Sequence, residues 1–177
     1  PAPNAAAWTD LARSGILVLD DDGDVRSVVA RCLQHAGYTV HEAGGLAEAR
    51  EQLATHDVVI VLADLTLRHG ESGLELLGEL QRTRADIDVI VMTANSDVGS
   101  AVGALKAGAY DYLCKPFAVE VLLAAIKRAV DRNRLAERTM LLDHLQARRQ
   151  ADEENMEQFL VSLANAIDAK SRFTARH

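Results

Sequence analysis

Residues 16–22 read ILVLDDD, and the reading of this stretch decides the rest. Ile16, Leu17, Val18 and Leu19 are the aliphatic and β-branched types that fill a strand covered on both faces. The run ends in three consecutive carboxylates, Asp20, Asp21 and Asp22. Carboxylates at the end of a buried strand repel one another and lose hydration. Such a cluster is tolerable where a cation offsets it, so this strand end is the first candidate for a functional centre.

The same grammar repeats outward from it. Short β-rich runs are GILVLD (15–20), YTVHEA (38–43), DVVIVLAD (57–64), DVIVMTA (88–94) and YDYLC (110–114). Segments of helical periodicity separate them. Their expected apolar faces are Val25, Val28, Val29, Cys32 and Leu33; then Leu46, Ala49 and Leu53; then Leu74, Leu77 and Leu80; then Val98, Ala101, Val102 and Leu105. A last helix begins near Ala118 and carries Leu122, Leu123, Ile126 and Val130. Ala-Gly pairs at 36–37 and 107–108 mark helix ends. Five βα units with near-continuous apolar strands predict an α/β fold, a flavodoxin-like doubly wound five-stranded parallel sheet. In that architecture the functional crevice lies at the carboxyl ends of the strands, near the topological switch point.

Composition bounds the rest. The hydrophobic fraction of 49% supports a real core, and 4% aromatics make that core aliphatic. The net charge of −7 argues against a nucleic-acid or anionic-membrane surface. Residues 1–130 hold 11 Lys+Arg against 18 Asp+Glu, whereas residues 131–177 hold 8 of each. Cys32 and Cys114 form no CxxC pair and are expected to be buried thiols of a reducing compartment. No signal peptide or membrane-spanning run is legible, so a cytoplasmic protein is expected.

The chemistry lies at the strand ends. Asp20 and Asp21 close the first strand, Asp64 the third and Thr93 the fourth, and Lys115 follows the fifth within CKPF. A hard divalent cation such as Mg2+ relieves clustered carboxylates, and an ammonium offsets more of their charge. A carboxylate is also a nucleophile toward phosphorus, and a metal and a lysine neutralise the phosphoryl oxygens in transit. The residues therefore read as follows: Asp20 and Asp21 hold Mg2+, which makes Asp64 phosphorylatable, and Thr93 senses the added group. Asp22 reads as a solvent-facing residue of the loop before the first helix. A haloacid-type phosphatase also begins with an acid-rich strand end, but the Thr93 and Lys115 constellation after five βα units suits it less.

Four segments carry a family resemblance: LVLDDDGDVR (17–26), LADLTL (62–67), VMTA (91–94) and KAGAYDYLCKPF (106–117). In this order and spacing the stretch from about 15 to 130 resembles the receiver domain of two-component response regulators. The resemblance implies that Asp64 is the phosphoacceptor, Asp21 a direct Mg2+ ligand and Asp20 an acid acting mainly through water. It implies that Thr66 offers its backbone carbonyl to the metal, and that Thr93 is the switch hydroxyl. It further implies that Tyr112 turns inward on activation, that Lys115 binds the phosphoryl group and that the Lys115–Pro116 bond is cis. A sensor histidine kinase or phosphotransfer protein is the implied partner, and a homodimer through the fourth helix, fifth strand and fifth helix the implied assembly. The chain departs from the family in LTLRHGESG (65–73): Arg68 stands where a proline is common, and the loop is one residue longer. His69 in this loop reads as an exposed residue.

From 118 to about 168 the chain has no Gly, Pro or turn cluster, which predicts a long C-terminal helical extension. Leu135, Leu142, Arg149, Met156 and Leu163 recur in sevens, with Arg138, Leu145, Asp152, Phe159 and Ala166 as partner positions. This is a candidate dimer seam that weakens near 148–154, where two helices could alternatively join. The final FLVSLANAIDAKSRFTARH (159–177) resembles the entry of HD-GYP domains, metal-dependent phosphodiesterases of cyclic di-GMP. Ser171 and Arg172 stand where that family commonly has an Asp-Pro pair. The resemblance makes His177 a candidate metal ligand of a longer protein. The expected organisation is a tail over 1–13, a receiver over 14–130, a helical linker over 131–154 and the start of a truncated output domain over 155–177. The function implied is a phosphorylation-activated response regulator with a cyclic di-GMP phosphodiesterase output. The alternatives are a regulator of transcription with a DNA-binding domain elsewhere, or a stand-alone phosphorelay adaptor.

Overall fold

The computed structural model describes residues 15–94 and 98–174, with the side chains of 69, 98, 100, 137 and 163–174 outside that description. The expected tail over 1–13, the side chain of His69 and the candidate ligand His177 lie outside the described residues. Among the described residues the elements are β1 (Gly15–Leu19), α1 (Gly23–His35), β2 (Thr39–Ala43), α2 (Leu46–Thr55), β3 (Val58–Asp64), α3 (Gly73–Thr83), β4 (Asp88–Thr93), α4 (Val98–Lys106), β5 (Asp111–Cys114) and α5 (Val119–Thr174), with a 3-10 turn at Arg68–Gly70. The five strands are parallel in the order β2-β1-β3-β4-β5, the expected doubly wound arrangement. The strand order reverses between β1 and β3, which fixes the crevice there.

Alternation along each strand splits the core into two layers. Ile16, Val18, Ile60, Leu62, Ile90 and Met92 face Val29 and Leu33 of α1 and Leu122 and Ile126 of α5. Leu17, Leu19, Val61, Ala63, Val89 and Val91 face Leu46 of α2, Leu76, Leu77 and Leu80 of α3 and Ala104 of α4. Each fully buried aliphatic side chain of this kind stabilises the fold by about 1.5–3 kcal/mol. Gly37 and Gly108 end α1 and α4 at φ 91° and 98°, a left-handed geometry that a Cβ disfavours.

Three expected helix faces need correction. Val28 of α1 is 61% exposed, and Ala30 joins Val29 and Leu33 in the core instead. In α3, Leu74 lies at the exposed edge while Leu76 turns inward beside Leu77 and Leu80. In α4, Ala104 is buried, and Val102 and Leu105 are exposed. A short helix rich in Val, Ala and Leu offers two apolar stripes, and periodicity alone does not choose between them. Cys32 and Cys114 are only partly buried, Cys32 at the margin of the layer that α1 covers.

Helix α5 runs for 56 residues without a break at 148–154, so the two-helix alternative does not hold. Its first part buries Leu122, Ala125, Ile126, Ala129 and Val130, the i, i+3, i+4, i+7, i+8 pattern of one helix face. Three polar contacts fasten the end of this part. Arg128 pairs with Asp111 at 2.6 Å, Arg132 pairs with Asp88 at 3.2 Å, and the Asn133 amide donates to the Val59 carbonyl at 3.4 Å. The Arg132 guanidinium also lies 5.1 Å from the centre of the Tyr110 ring. The chain divides into two units after Asn133. Among the described residues of 134–162 every side chain is exposed, Leu135, Leu142, Leu145, Met156 and Phe159 included. Among the described residues no helix is long and apolar enough to cross a membrane.

Candidate functional site

Strand register assembles the site. Leu19 pairs with Ala63, Asp64 with Met92 and Thr93 with Cys114. One step past those pairs brings Asp20 beside Asp64, with Thr93 and then Lys115 following along the carboxyl edge. Lys115 Nζ donates to Asp20 Oδ2 at 2.5 Å and to Asp64 Oδ2 at 2.6 Å. Asp20 is fully buried, and its other oxygen accepts the Asp22 N–H at 2.9 Å. Asp64 Oδ1 accepts the Thr66 N–H at 3.1 Å. Carboxylate oxygens of Asp20, Asp21 and Asp64 lie within 4.8 Å of one another. This all-oxygen donor set suits a hard divalent cation.

Burial works against the Lys115 ammonium, but the hydrogen bonds and charges of Asp20 and Asp64 together outweigh it and hold its pKa above the usual lysine value. The amine therefore stays charged throughout the physiological range. Asp22 is exposed and caps α1, accepting the N–H groups of Asp24 at 2.9 Å and Val25 at 3.2 Å. Those bonds, Val25 first, hold its carboxyl below the ordinary range. Its carboxylate is thereby committed to the helix terminus.

Thr93 is buried at the end of β4, and the Lys115 N–H donates to its carbonyl at 2.7 Å. The Lys115–Pro116 peptide is cis. Tyr112 is half-buried against the α2–α4 layer and pairs with Val91. Thr93 follows Val91 by two residues, so Thr93 and Tyr112 share one face of the sheet.

The longer loop after Asp64 is built rather than slack. Leu67 is buried, its N–H donates to the Glu71 carbonyl at 3.0 Å, and Ser72 Oγ donates to the Leu65 carbonyl at 2.8 Å. From this loop Arg68 Nε reaches Asp21 Oδ2 at 2.9 Å. The sequence marks Arg68 only as a departure from a pattern. An exposed pair 47 residues apart in sequence leaves no local signal that it exists.

The arrangement defines an acidic, lysine-bridged pocket at the switch point of a doubly wound parallel sheet. The chain belongs to the response regulator receiver domain family, whose model matches residues 16–127. It is 38% identical over 120 residues to the DNA-binding transcriptional regulator NtrC of Escherichia coli (strain K12), covering 68% of this chain and 25% of that protein. It is 40% identical over 120 residues to the response regulator MprA of Mycobacterium ulcerans, covering 68% of this chain and 51% of that one. Among solved structures it is similar to a CheY-like receiver domain protein from Methanospirillum hungatei JF-1. That match has a TM-score of 0.65 and 28% identity and covers 70% of this chain and 98% of the other. The chain thus spans a quarter to a half of the length of these curated relatives.

Proposed function

We propose that Asp64 is the residue that accepts the phosphoryl group. The observation that carries this reading is the Lys115 ammonium bridging Asp20 and Asp64 beside Asp21. Asp21, Asp64 and the Thr66 carbonyl would hold Mg2+, with Asp20 acting through water. The metal would supply charge neutralisation on the phosphoryl oxygens. Asp64 attacks phosphorus, the bond from phosphorus to the donor breaks, and the donor leaves with its electron pair. Lys115 keeps one phosphoryl oxygen oriented and neutralised. The new group carries charge and acceptor oxygens at the end of β3. Thr93 turns toward it, and Tyr112 on the same face follows. The exposed Val102 and Leu105 of α4 lie on the helix next in sequence to this face, which suits a surface that pairs with a second copy after the change.

The partner that delivers the group meets the pocket from the side of α1. There Val25, Val28, Ala94, Pro116 and Phe117 border an apolar cavity of about 520 Å³ that reaches Lys115. Such transfer belongs to the cytoplasm, whose reducing conditions suit the two free thiols Cys32 and Cys114. The output is reached through α5, which continues from the receiver into the extension without interruption. Two readings of it each have one observation behind them. The similarity of residues 159–177 to an HD-GYP entry favours a cyclic di-GMP phosphodiesterase. The printed names of NtrC and its kin favour a regulator of transcription.

Intact mass after incubation with acetyl phosphate tests the site. One added phosphoryl group is expected with Mg2+, and none with a chelator or in Asp64→Asn. An adduct that survives Asp64→Asn would transfer the role to another residue.

A further inference from the structure

We propose that Arg68 is a built-in counterion that clasps the β3–α3 loop onto Asp21 in the metal-free protein and is displaced when a divalent cation takes the pocket. This rests on the reading of Asp21 as a metal ligand. The balance of charge in the pocket is the reason. Three carboxylates, Asp20, Asp21 and Asp64, face two side-chain cations, Lys115 and Arg68. The set carries one net negative charge. A divalent ion added to both cations would leave one net positive charge, so one of the two is surplus once the ion arrives.

Geometry decides which one leaves. Lys115 is 18% exposed and holds two carboxylates at once, one of them fully buried, so withdrawing it would strand a buried charge. Arg68 is 71% exposed and makes its contact with Asp21 through Nε at 2.9 Å. An exposed pair of that kind contributes little and is released cheaply into water. The loop can give up the contact without unravelling, because buried Leu67, the Leu67–Glu71 bond and the Ser72–Leu65 bond hold it independently. What is released is the single turn Arg68–Gly70. Cation binding and the freedom of that turn are therefore linked, and the linkage is reciprocal. The clasp weakens the cation by the same factor by which the cation loosens the turn.

The probe is Mn2+, an oxygen-seeking divalent ion whose free form is counted by electron paramagnetic resonance. At low salt, Arg68→Ala is expected to bind Mn2+ about two- to five-fold more tightly than the wild type. The gap should narrow at about 0.5 M salt, where exposed charges are screened. Amide exchange across residues 68–71 should rise in the wild type on adding Mn2+ and be high from the outset in Arg68→Ala. Equal or weaker binding by Arg68→Ala, with Asp21→Asn clearly impaired, would overturn the clasp and leave the metal site standing. If Asp21→Asn binds as tightly as the wild type, the metal site itself fails, and the clasp with it.

Discussion

A methyl group on Gly73 would lie 2.3 Å from the Asp64 carbonyl oxygen and 3.1 Å from the Ala63 side chain. The first residue of α3 is thus pressed against the strand end that carries the pocket, and only a hydrogen fits between them. Gly73→Ala is expected to lower stability by about 1–3 kcal/mol and to shift Asp64 away from Lys115. Gly78→Ala on the same helix meets nothing within 4 Å, and should be stabilising by about 0.5–1 kcal/mol. Urea unfolding of the two variants checks the contrast. At this scale the sequence is uneven as a guide. Asp20, Asp64 and Lys115 announce themselves because each follows a run of buried residues, and polarity there needs a reason. The Arg68–Asp21 pair does not, because any exposed arginine can meet an exposed-edge carboxylate and no pattern of residue types encodes the meeting.

Elements inherit their reliability from how many neighbours constrain them. Strands β1, β3 and β4 are covered on both faces, so their apolar runs have one reading. Helices α1, α3 and α4 are covered on one face, and for α4 the sequence favours Val102 and Leu105 where packing selects Ala104. Helix α5 was legible in its continuity, since nothing in it terminates a helix. Its fastening was not, because Asp88 looks like an ordinary turn residue. In the structure Asp88 is buried at the start of β4, with Oδ2 lacking a hydrogen-bond partner among the described residues and Oδ1 facing Arg132 at 3.2 Å. Burial raises its pKa above the usual 3.8, outweighing the attraction of Arg132. The folded chain therefore binds this proton more readily than the unfolded chain. Between the unfolded and the higher folded pKa, stability falls as pH rises, and the loss is complete above the folded value. Asp88→Asn should raise the urea midpoint relative to wild type near pH 7, with the gap closing toward about pH 4. A gap independent of pH would mean that the buried charge is not its source.

At the scale of the whole molecule, the receiver unit closes its own core, and the described residues of the second unit leave their apolar side chains uncovered. Leu135, Leu142 and Met156, with Leu145 and Phe159, fall on two seven-residue series along α5 that Arg149 and Asp152 interrupt, and all five are exposed in the single chain. A second copy, paired as a two-stranded coiled coil, would cover them. Replacing Leu142 and Leu145 together by Glu should weaken self-association at least about tenfold, given about 1.5–3 kcal/mol for each buried leucine. Sedimentation equilibrium measures it, and unchanged association would move the interface elsewhere. Such pairing along α5 would give the phosphoryl signal a mechanical route, and the route has meaning only if the signal begins at Asp64. The most direct test phosphorylates the chain with acetyl phosphate and Mg2+, reduces the acyl phosphate with borohydride to homoserine, and locates the homoserine by peptide mass spectrometry. Homoserine is expected at position 64 and at no other aspartate. Homoserine at position 20 or 22, the strand end that a haloacid-type phosphatase would use, would contradict it.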